Sequence, residues 1–345
     1  MNAHQIYHSF LQDINQQSSD FSWIKTPFPQ PLVFENRPFL GVVIGGSGVT
    51  IAQMWHTDQG IDFDIQTQAP LPDWSSISEM AEYIHPYITE DIDVVAINFA
   101  FPIASFLRDD RLDATLIRST KSGVFRDSIG TSIGKTCENI FQTFLGRMIT
   151  VSLANDTSCL LLAGQEQAHT SDILGLIVGT GFNMAFIEDN YLINLESGNM
   201  SNLDFPMTTH YIDSKSHNPG SQLFEKTVAG YYLYQHYNYQ ISEELKAISS
   251  TQELSYKAQY GNPEEQTFAQ TLLQQSATYV AAHLAALAEY RQYSEVSVMA
   301  EGSLIIKGYQ YQNMVTKIYT SLTAIPITWY NHEQSSLLGC AKLVM

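Results

Sequence analysis

Basic side chains are scarce in this chain of 345 residues. It has 17 lysines and arginines against 35 aspartates and glutamates, which gives a formal net charge of −18 at pH 7. Such a charge repels phosphate backbones and anionic lipid headgroups at long range. We therefore expect neither a nucleic acid nor a membrane surface as a partner. An anionic cofactor would need local backbone N–H groups and a metal ion to hold it.

Cysteines are also few, and no metal-ligand spacing is recognisable. Cys137, Cys159 and Cys340 lie far apart in the sequence, which suits a reducing compartment and provides neither a disulfide framework nor a CxxC site. None of the ten histidines belongs to an HExxH motif or a paired His/Cys cluster. The sequence predicts core thiols and no residues that ligate a metal directly.

Long apolar runs are absent as well. The stretches 159–163 and 280–287 are too short to span a bilayer, and the N-terminal segment lacks the basic start, apolar run and cleavage site of a signal peptide. We expect a cytoplasmic protein. With 44% apolar and only 15% charged residues, a chain of this length can bury a large core, and it favours two lobes.

Two segments repeat one design. Residues 39–54 and 173–188 each contain an apolar run, a glycine turn and a second apolar run, a pattern that predicts a hairpin. The turn Gly45-Gly46-Ser47 of the first segment corresponds to Gly179-Thr180-Gly181 of the second. Their separation is too long for a solenoid repeat and indicates a duplicated domain.

The remaining pattern is that of an α/β chain. Further apolar runs predict strands at 94–101, 150–153, 191–195, 296–299 and 325–329. Apolar residues at helical spacing predict helices at 77–88, 134–145, 222–237 and 264–290, the last either long or broken once. The polar stretch 240–263 predicts a short helix and a surface loop.

The glycine turns are candidates for phosphate binding. Glycine lets the backbone approach a ligand and turn its N–H groups towards phosphate oxygens. The first turn offers Gly45, Gly46, Ser47 and Gly48, and the second offers Gly179, Thr180 and Gly181. A single such turn can carry glycine for hairpin geometry alone, but two in duplicated halves favour a polyphosphate ligand. Neither turn is a GxxxxGK[ST] phosphate loop.

Asp156 is a candidate for proton transfer. It follows the strand predicted at 150–153, and α/β folds display reactive groups at the ends of strands. The alternative interpretation is that Asp156 caps the helix that begins there.

Four segments in chain order resemble the signatures of the hexokinase family. They are Asn155-Asp156-Thr157, residues 175–183, residues 193–198 and residues 219–226. Residues 98–102 and 118–121 resemble the two sugar segments of the family's small lobe, and Glu301-Gly302-Ser303 resembles its adenosine segment. The resemblance runs from about residue 39 to the C-terminus, with a weaker match at 335–341.

The resemblance implies a fold, a domain division and an activity. The fold would be the two-lobed actin-like ATPase (ribonuclease H-like) fold, α/β, with duplicated sheet domains and an interlobe cleft. Residues 37–153 and a C-terminal helix at 334–345 would form the small lobe, and residues 1–36 and 154–333 the large lobe. The activity would be ATP-dependent phosphorylation of a glucose-type hexose, a step of glycolysis, by a monomer or homodimer that uses ATP and Mg²⁺.

The resemblance also implies roles for individual residues. The sugar contacts would come from Thr120, Lys121, Asn155, Asp156, Asn183, Glu196, Gln222 and Glu225, a set of carboxylates and amides suited to sugar hydroxyls. Asp156 would act as general base, a contribution of about 10²–10⁴-fold, and Lys121 would supply positive charge beside the transferred phosphate unless it is a solvated surface lysine. The two glycine turns would hold the phosphates, and Gly302 and Ser303 the adenosine.

Four positions depart from the family pattern. Val43 and Thr50 stand where the family has an aspartate that holds magnesium through water and an arginine near the phosphates, Ala100 replaces a serine and Ser197 replaces a tryptophan. Two functions stay open: a kinase whose nucleotide-borne Mg²⁺ is held by Asp156 and water, or a sugar-binding sensor that has lost transfer. A nucleotide-dependent filament protein is a third class, which would need none of the sugar contacts.

Overall fold

The computed structural model describes residues 2–18, 21–33, 37–58, 60–119, 124–241 and 246–345. The strands are β1 (Ile24–Pro27), β2 (Pro38–Ile44), β3 (Gly48–Thr57), β4 (Gly60–Pro70), β5 (Val94–Phe99), β6 (Ile103–Arg108), β7 (Arg111–Leu116), β8 (Thr150–Asn155), β9 (Ile173–Val178), β10 (Phe182–Glu188), β11 (Tyr191–Asn194), β12 (Val296–Glu301) and β13 (Ile327–Tyr330). The helices are α1 (Ala3–Asn15), α2 (Ile77–Ile84), α3 (Ile133–Leu145), α4 (Asp156–Ala168), α5 (Met207–Lys215), α6 (Leu223–Val228), α7 (Gly230–Gln240), α8 (Thr251–Tyr260), α9 (Pro263–Tyr290), α10 (Ser303–Lys307), α11 (Tyr311–Leu322) and α12 (Ser335–Ala341). None of these helices combines the length and the apolar character needed to cross a bilayer.

Internal contacts divide the chain into two compact units. Unit 1 comprises Met1–Trp23, Thr170–Ala185 and Leu195–Asn331. Unit 2 comprises Ile24–His169, Phe186–Asn194 and His332–Met345.

Each of the two larger sheets contains the same succession of four strands. In the five-stranded sheet the order is β3-β2-β5-β8, with β2 antiparallel to β3 and parallel to β5, and β5 parallel to β8. In the six-stranded sheet the order is β10-β9-β12-β13, with β12 parallel to both β9 and β13. This repetition confirms the two predicted hairpins and the duplicated design. Unit 2 also contains β4 beside β3, the antiparallel pair β1–β11 and the β6–β7 hairpin.

One face of the five-stranded sheet of unit 2 carries its main core. Apolar residues of α2 recur at spacings of three and four, and Ile77, Met80, Ala81 and Ile84 are all buried there. Ser76 caps this helix because its side chain accepts the N–H of Glu79. The helix therefore begins where the apolar periodicity begins.

A glycine lets α12 approach α4 closely within unit 2. A Cβ atom at Gly339 would lie 2.1 Å from the carbonyl oxygen of Cys159, so no larger residue fits this crossing. The next residue, Cys340, is buried, and burial raises the pKa of its thiol to about 12. Cys137 and Cys159 are buried and unbridged too, which confirms the prediction of core thiols.

The long helix α9 organises unit 1. It is continuous from Pro263 to Tyr290, starts with a capping box between Asn262 and Glu265, and has proline as its first residue. Helices α1, α8 and α11 pack against it. The prediction of a long helix is thus confirmed, and the short helix predicted within 240–263 is α8.

The helix predicted at 222–237 is wrong in one respect, since it is two helices, α6 and α7. Ala229 between them has extended backbone angles, and the N–H of Gly230 donates to Gly179 O at 2.7 Å instead of continuing the helix. The contact division also differs from the predicted lobe boundaries at β1, at α4 and at Phe186–Asn194. All three lie in unit 2, where β1 pairs with β11 and α4 packs on α12. The lobe boundaries themselves stay a prediction.

Candidate functional site

A cluster of polar side chains in unit 1 is centred on Asn183. Its Nδ2 donates to Glu196 Oε1 at 3.5 Å, and its Oδ1 accepts the backbone N–H of Met184 at 2.8 Å and of Ser197 at 3.1 Å. These bonds fix the amide with its oxygen towards the backbone and its amino group towards the carboxylate. Asn183 and Glu196 are half-buried, so their polar groups remain accessible to a ligand.

Glu225 joins this cluster because two glycines make room for it. Its Oε2 accepts the N–H of Phe182 at 2.9 Å. A Cβ atom at Gly181 would lie 2.7 Å from that same oxygen, and one at Gly198 would lie 3.1 Å from the Glu225 Cβ. Glu225, predicted as a sugar contact, and Gly181, predicted in a phosphate turn, therefore lie side by side.

The glycine turn of unit 1 meets two other glycines. Gly179 N donates to Gly181 O at 3.0 Å, and Gly179 O accepts the N–H of Gly230. A Cβ atom at Gly179 would lie 3.2 Å from the Cα of Gly302, whose φ of +111° excludes most side chains. The predicted phosphate turn and adenosine segment thus come together, and Thr180 and Ser303 beside them are exposed.

Gly230 was not predicted as part of this site. The sequence does show an unusual feature here, because α7 begins with a glycine. Serine, threonine, asparagine and aspartate are the more common residues at the start of a helix. A Cβ atom there would lie 2.7 Å from Gly179 O.

Gln222 precedes α6 with a left-handed backbone, φ +56°. Its Oε1 accepts Nδ2 of Asn218 at 2.9 Å, and its carbonyl accepts the N–H of Lys226 at 2.9 Å. Asparagine tolerates this conformation better than glutamine does, so tertiary contacts must hold the residue in place.

Asn155 and Asp156 lie in unit 2 at the junction of β8 and α4. Asn155 is the N-cap of α4: its Oδ1 accepts the N–H of Thr157 at 3.1 Å and the hydroxyl of Thr157 at 2.6 Å. The same oxygen accepts Nδ2 of Asn194 at 3.1 Å, a partner that sequence reasoning missed. Asn155 is buried, and these three bonds fix its side-chain oxygen.

Asp156 is the first residue of α4 and is half-buried. Its Oδ1 accepts the N–H of Thr157 at 2.8 Å. The positive end of the helix dipole favours the ionised carboxylate at this position. The alternative interpretation was that Asp156 caps this helix. The residue at the N-cap is Asn155 instead.

The first glycine turn, also in unit 2, is bound by its own backbone. Gly45 N donates to Gly48 O at 2.8 Å, and Ser47 O accepts the N–H of Leu71 at 3.0 Å. Ser47 is exposed and Gly45, Gly46 and Gly48 are half-buried. Among the described residues, no group of three or more His, Cys, Asp or Glu side chains could hold a metal ion. Two predicted site residues, Thr120 and Lys121, lie outside the described residues.

The hexokinase family model matches residues 173–240. Hexokinase-9 of Oryza sativa subsp. japonica is 30% identical over 152 residues, which cover 39% of this chain and 30% of the relative. Hexokinase-2 of Solanum tuberosum is 30% identical over 174 residues, covering 46% of this chain and 34% of the relative. The matched part of the chain thus spans about a third of the length of these curated relatives.

A solved structure resembles the whole chain. The hexokinase from Schistosoma mansoni complexed with glucose aligns with a TM-score of 0.82 at 20% identity, covering 99% of this chain and 94% of that one. At this identity the likeness defines the fold, and it confirms the predicted actin-like ATPase fold.

Proposed function

We propose that this chain, which resembles hexokinases in residues 173–240 and in its fold, transfers the terminal phosphoryl group of ATP to a hydroxyl of a glucose-type hexose. The observation that carries the proposal is that Asn183 donates to Glu196, while Glu225 accepts the N–H of Phe182, the residue before Asn183. Asn183, Glu196 and Glu225 all lie within the segment that the family model matches. They supply an amide and two carboxylates within one unit, a donor and acceptor set that fits adjacent sugar hydroxyls.

The proposed chemistry requires a base for the attacking hydroxyl. The sugar oxygen forms a bond to the terminal phosphorus of ATP, the bond from that phosphorus to the ADP oxygen breaks, and the hydroxyl proton passes to the Asp156 carboxylate. We assign Asp156 as this general base and Asn155 as a sugar contact beside it. Thr157 holds the carboxylate through its N–H, which restricts the direction of the remaining lone pairs.

The second glycine turn is the part of unit 1 best suited to phosphates. A side chain at Gly179 would press on Gly302, and one at Gly230 would press on Gly179 O, so these backbone segments approach one another this closely only because side chains are absent. We propose that Gly179, Thr180 and Gly181 contact the phosphates of ATP, with Gly302 and Ser303 beside the adenosine. Backbone N–H groups of such turns bind anions without any basic side chain.

Mg²⁺ fits less well. Bound to ATP, the ion neutralises the phosphate oxygens, but on the first glycine turn Val43 offers no oxygen ligand and Thr50 only a hydroxyl. In unit 2, Asp156 is then our candidate for holding Mg²⁺, either directly or through a water molecule. No step of the reaction is therefore assigned through a protein-bound metal. We also propose a cytoplasmic location, which suits three buried and unbridged thiols, and a monomer or homodimer as the working unit.

The test combines turnover and binding. ADP release is measured with ATP and a panel of hexoses and amino sugars for the wild type, Asp156→Ala and a control, Asp62→Ala, which removes an exposed carboxylate from β4. Calorimetry measures sugar binding by the same proteins.

We expect sugar-dependent ADP release that Asp156→Ala abolishes and Asp62→Ala leaves unchanged, with sugar binding still measurable in all three and weaker in Asp156→Ala, because Asp156 also contacts the sugar. Sugar binding without release under any donor would instead support the sensor. Nucleotide-dependent sedimentation without sugar binding would support the filament protein.

A further inference from the structure

Lys226 of α6 carries a fully buried ammonium group. The residue is 0% exposed, and its Nζ donates to Asp213 Oδ1 at 2.6 Å, to Asn218 O at 2.9 Å and to Ser221 O at 2.7 Å. The three N–H donors of a lysine thus have three acceptors. A buried charge is tolerated only when it is paired and hydrogen-bonded in this way, so the surrounding segment is built around this group.

Asp213 connects the ammonium group to the turn that follows α5. Its Oδ1 and Oδ2 accept the N–H of Gly220 at 3.0 and 2.9 Å, and Gly220 has a left-handed φ of +82°. Burial by itself raises the pKa of the Asp213 carboxyl, but the hydrogen bonds from Lys226 and Gly220 outweigh it and leave the pKa below its usual range. The Asp213 carboxyl is therefore ionised at neutral pH.

The same segment delivers two of the proposed sugar contacts. Asn218, whose carbonyl accepts from Lys226, donates its Nδ2 to Gln222 Oε1. Glu225 directly precedes Lys226 on α6 and reaches Phe182 N. The left-handed conformation of Gln222 and the start of α6 thus depend on the turn that the ammonium group holds together.

Lys226 is not itself placed to bind a phosphate. All three of its donors are committed to protein oxygens, and the side chain has no exposed area. A methionine of similar length would fill the same space without the charge. The three acceptors of the ammonium group all lie within residues 213–226.

We propose that Lys226, with Asp213, is a positioning residue that sets Gln222 and Glu225 for hexose binding. The proposal rests on the proposed function, because it presumes that these two residues contact the sugar. It predicts a specific defect: loss of the ammonium group weakens the sugar site and leaves the nucleotide site, built on Gly179 to Gly181 and Gly302, intact.

The test measures sugar and nucleotide affinity separately by calorimetry. Lys226→Met removes the charge, and Lys257→Met is the matched control, because Lys257 pairs with Glu265 between α8 and α9 in the same unit. Asp213→Asn is the second variant if Lys226→Met does not fold, as judged by circular dichroism and thermal unfolding. All measurements use the full chain well below the unfolding temperature.

We expect Lys226→Met or Asp213→Asn to raise the Kd for the hexose by about tenfold or more, while the Kd for ADP stays within about twofold and Lys257→Met changes neither. A folded variant that binds hexose within about twofold of the wild type overturns the positioning role. An equal loss of hexose and ADP affinity also overturns this role, because it indicates that the substitution has destabilised the whole protein. A wild type that binds no hexose overturns the proposed function itself, and is recognised before any variant is compared.

Discussion

Val43 and Thr50 lie directly opposite each other on the β2–β3 hairpin. These are the two positions where the resemblance places an aspartate and an arginine, and both residues are half-buried. The two differences from the family pattern therefore occur at a single place on the hairpin. Loss of either charge alone would leave the other without its opposite at this position, whereas loss of both leaves the local net charge unchanged. Val43 also neighbours Asn98 on β5 in the parallel direction.

The first prediction restores the positive member of this pair. Thr50→Arg should lower the Kd for ATP by about five- to thirtyfold, since a new charged hydrogen bond to phosphate contributes about 1–2 kcal/mol. Calorimetry at low and high salt checks it, and the gain should shrink with salt. Because the chain carries a net charge of −18, any added arginine favours an anion. Gln53→Arg, farther along β3, controls for that effect, and equal gains in both variants would show that the first turn does not bind phosphate.

The second prediction concerns Gly181 and Glu225. In Gly181→Ala the new Cβ would lie 2.7 Å from Glu225 Oε2 in the unchanged structure, so the carboxylate must move. We expect hexose affinity to fall by about tenfold, because a hydrogen bond to a charged group contributes about 1.5–3 kcal/mol. The measurement is calorimetric titration with the hexose that the wild type binds most tightly.

A double-mutant cycle distinguishes this from an effect on the turn itself. If Gly181→Ala acts through Glu225, it should cost much less affinity in a Glu225→Gln background than in the wild type. Fully additive losses would mean that the two residues act separately.

The fold was largely predictable, and the exceptions have physical causes. The segments 39–54 and 173–188 predicted their hairpins because β-branched alternation and a glycine turn agree there. Strand β4 was missed although its sequence contains a strand signal. Ile61, Phe63 and Ile65 alternate with polar residues, which is the ordinary pattern of an edge strand. The break at Ala229 could not be predicted locally, since alanine favours helix and a bond from Gly230 to Gly179, far away in sequence, decides it.

The site was predictable only as a list of residues. Order in the chain and the family resemblance named Asn183, Glu196 and Glu225, but not which atoms meet. Those contacts join residues up to 43 positions apart, as in the bond from Phe182 N to Glu225. Partners of ordinary type, such as Asn194 beside Asn155, carry no signal in a single sequence.

The third prediction concerns stability in acid. His283 is fully buried, stacks on Phe10 with ring centroids 4.3 Å apart, and neither ring nitrogen has a hydrogen-bond partner in the described part of the chain. Burial lowers its pKa from 6.5 to about 3. The unfolded chain therefore takes up this proton first as the pH falls below 6.5, and stability is lost progressively down to about pH 3.

His283→Phe removes this proton uptake. Its free energy of unfolding, relative to the wild type, should rise by about 1.4 kcal/mol for each pH unit below 6.5. Urea titrations at about pH 7 and about pH 5.5 measure the change, with His4→Phe, an exposed residue of α1, as the control. A His283→Phe advantage that is the same at both pH values would contradict the cause given for the shift.

The most direct test of the central claim is detection of the product. Wild type and Asp156→Asn are incubated with ATP, Mg²⁺ and the hexose that binds, and sugar phosphate is quantified by ³¹P NMR. We expect sugar phosphate from the wild type and at least about a hundredfold less from Asp156→Asn, at a hexose concentration that saturates both proteins. Equal product from both proteins would contradict the role of Asp156, and hexose binding without any sugar phosphate from the wild type would contradict the kinase itself.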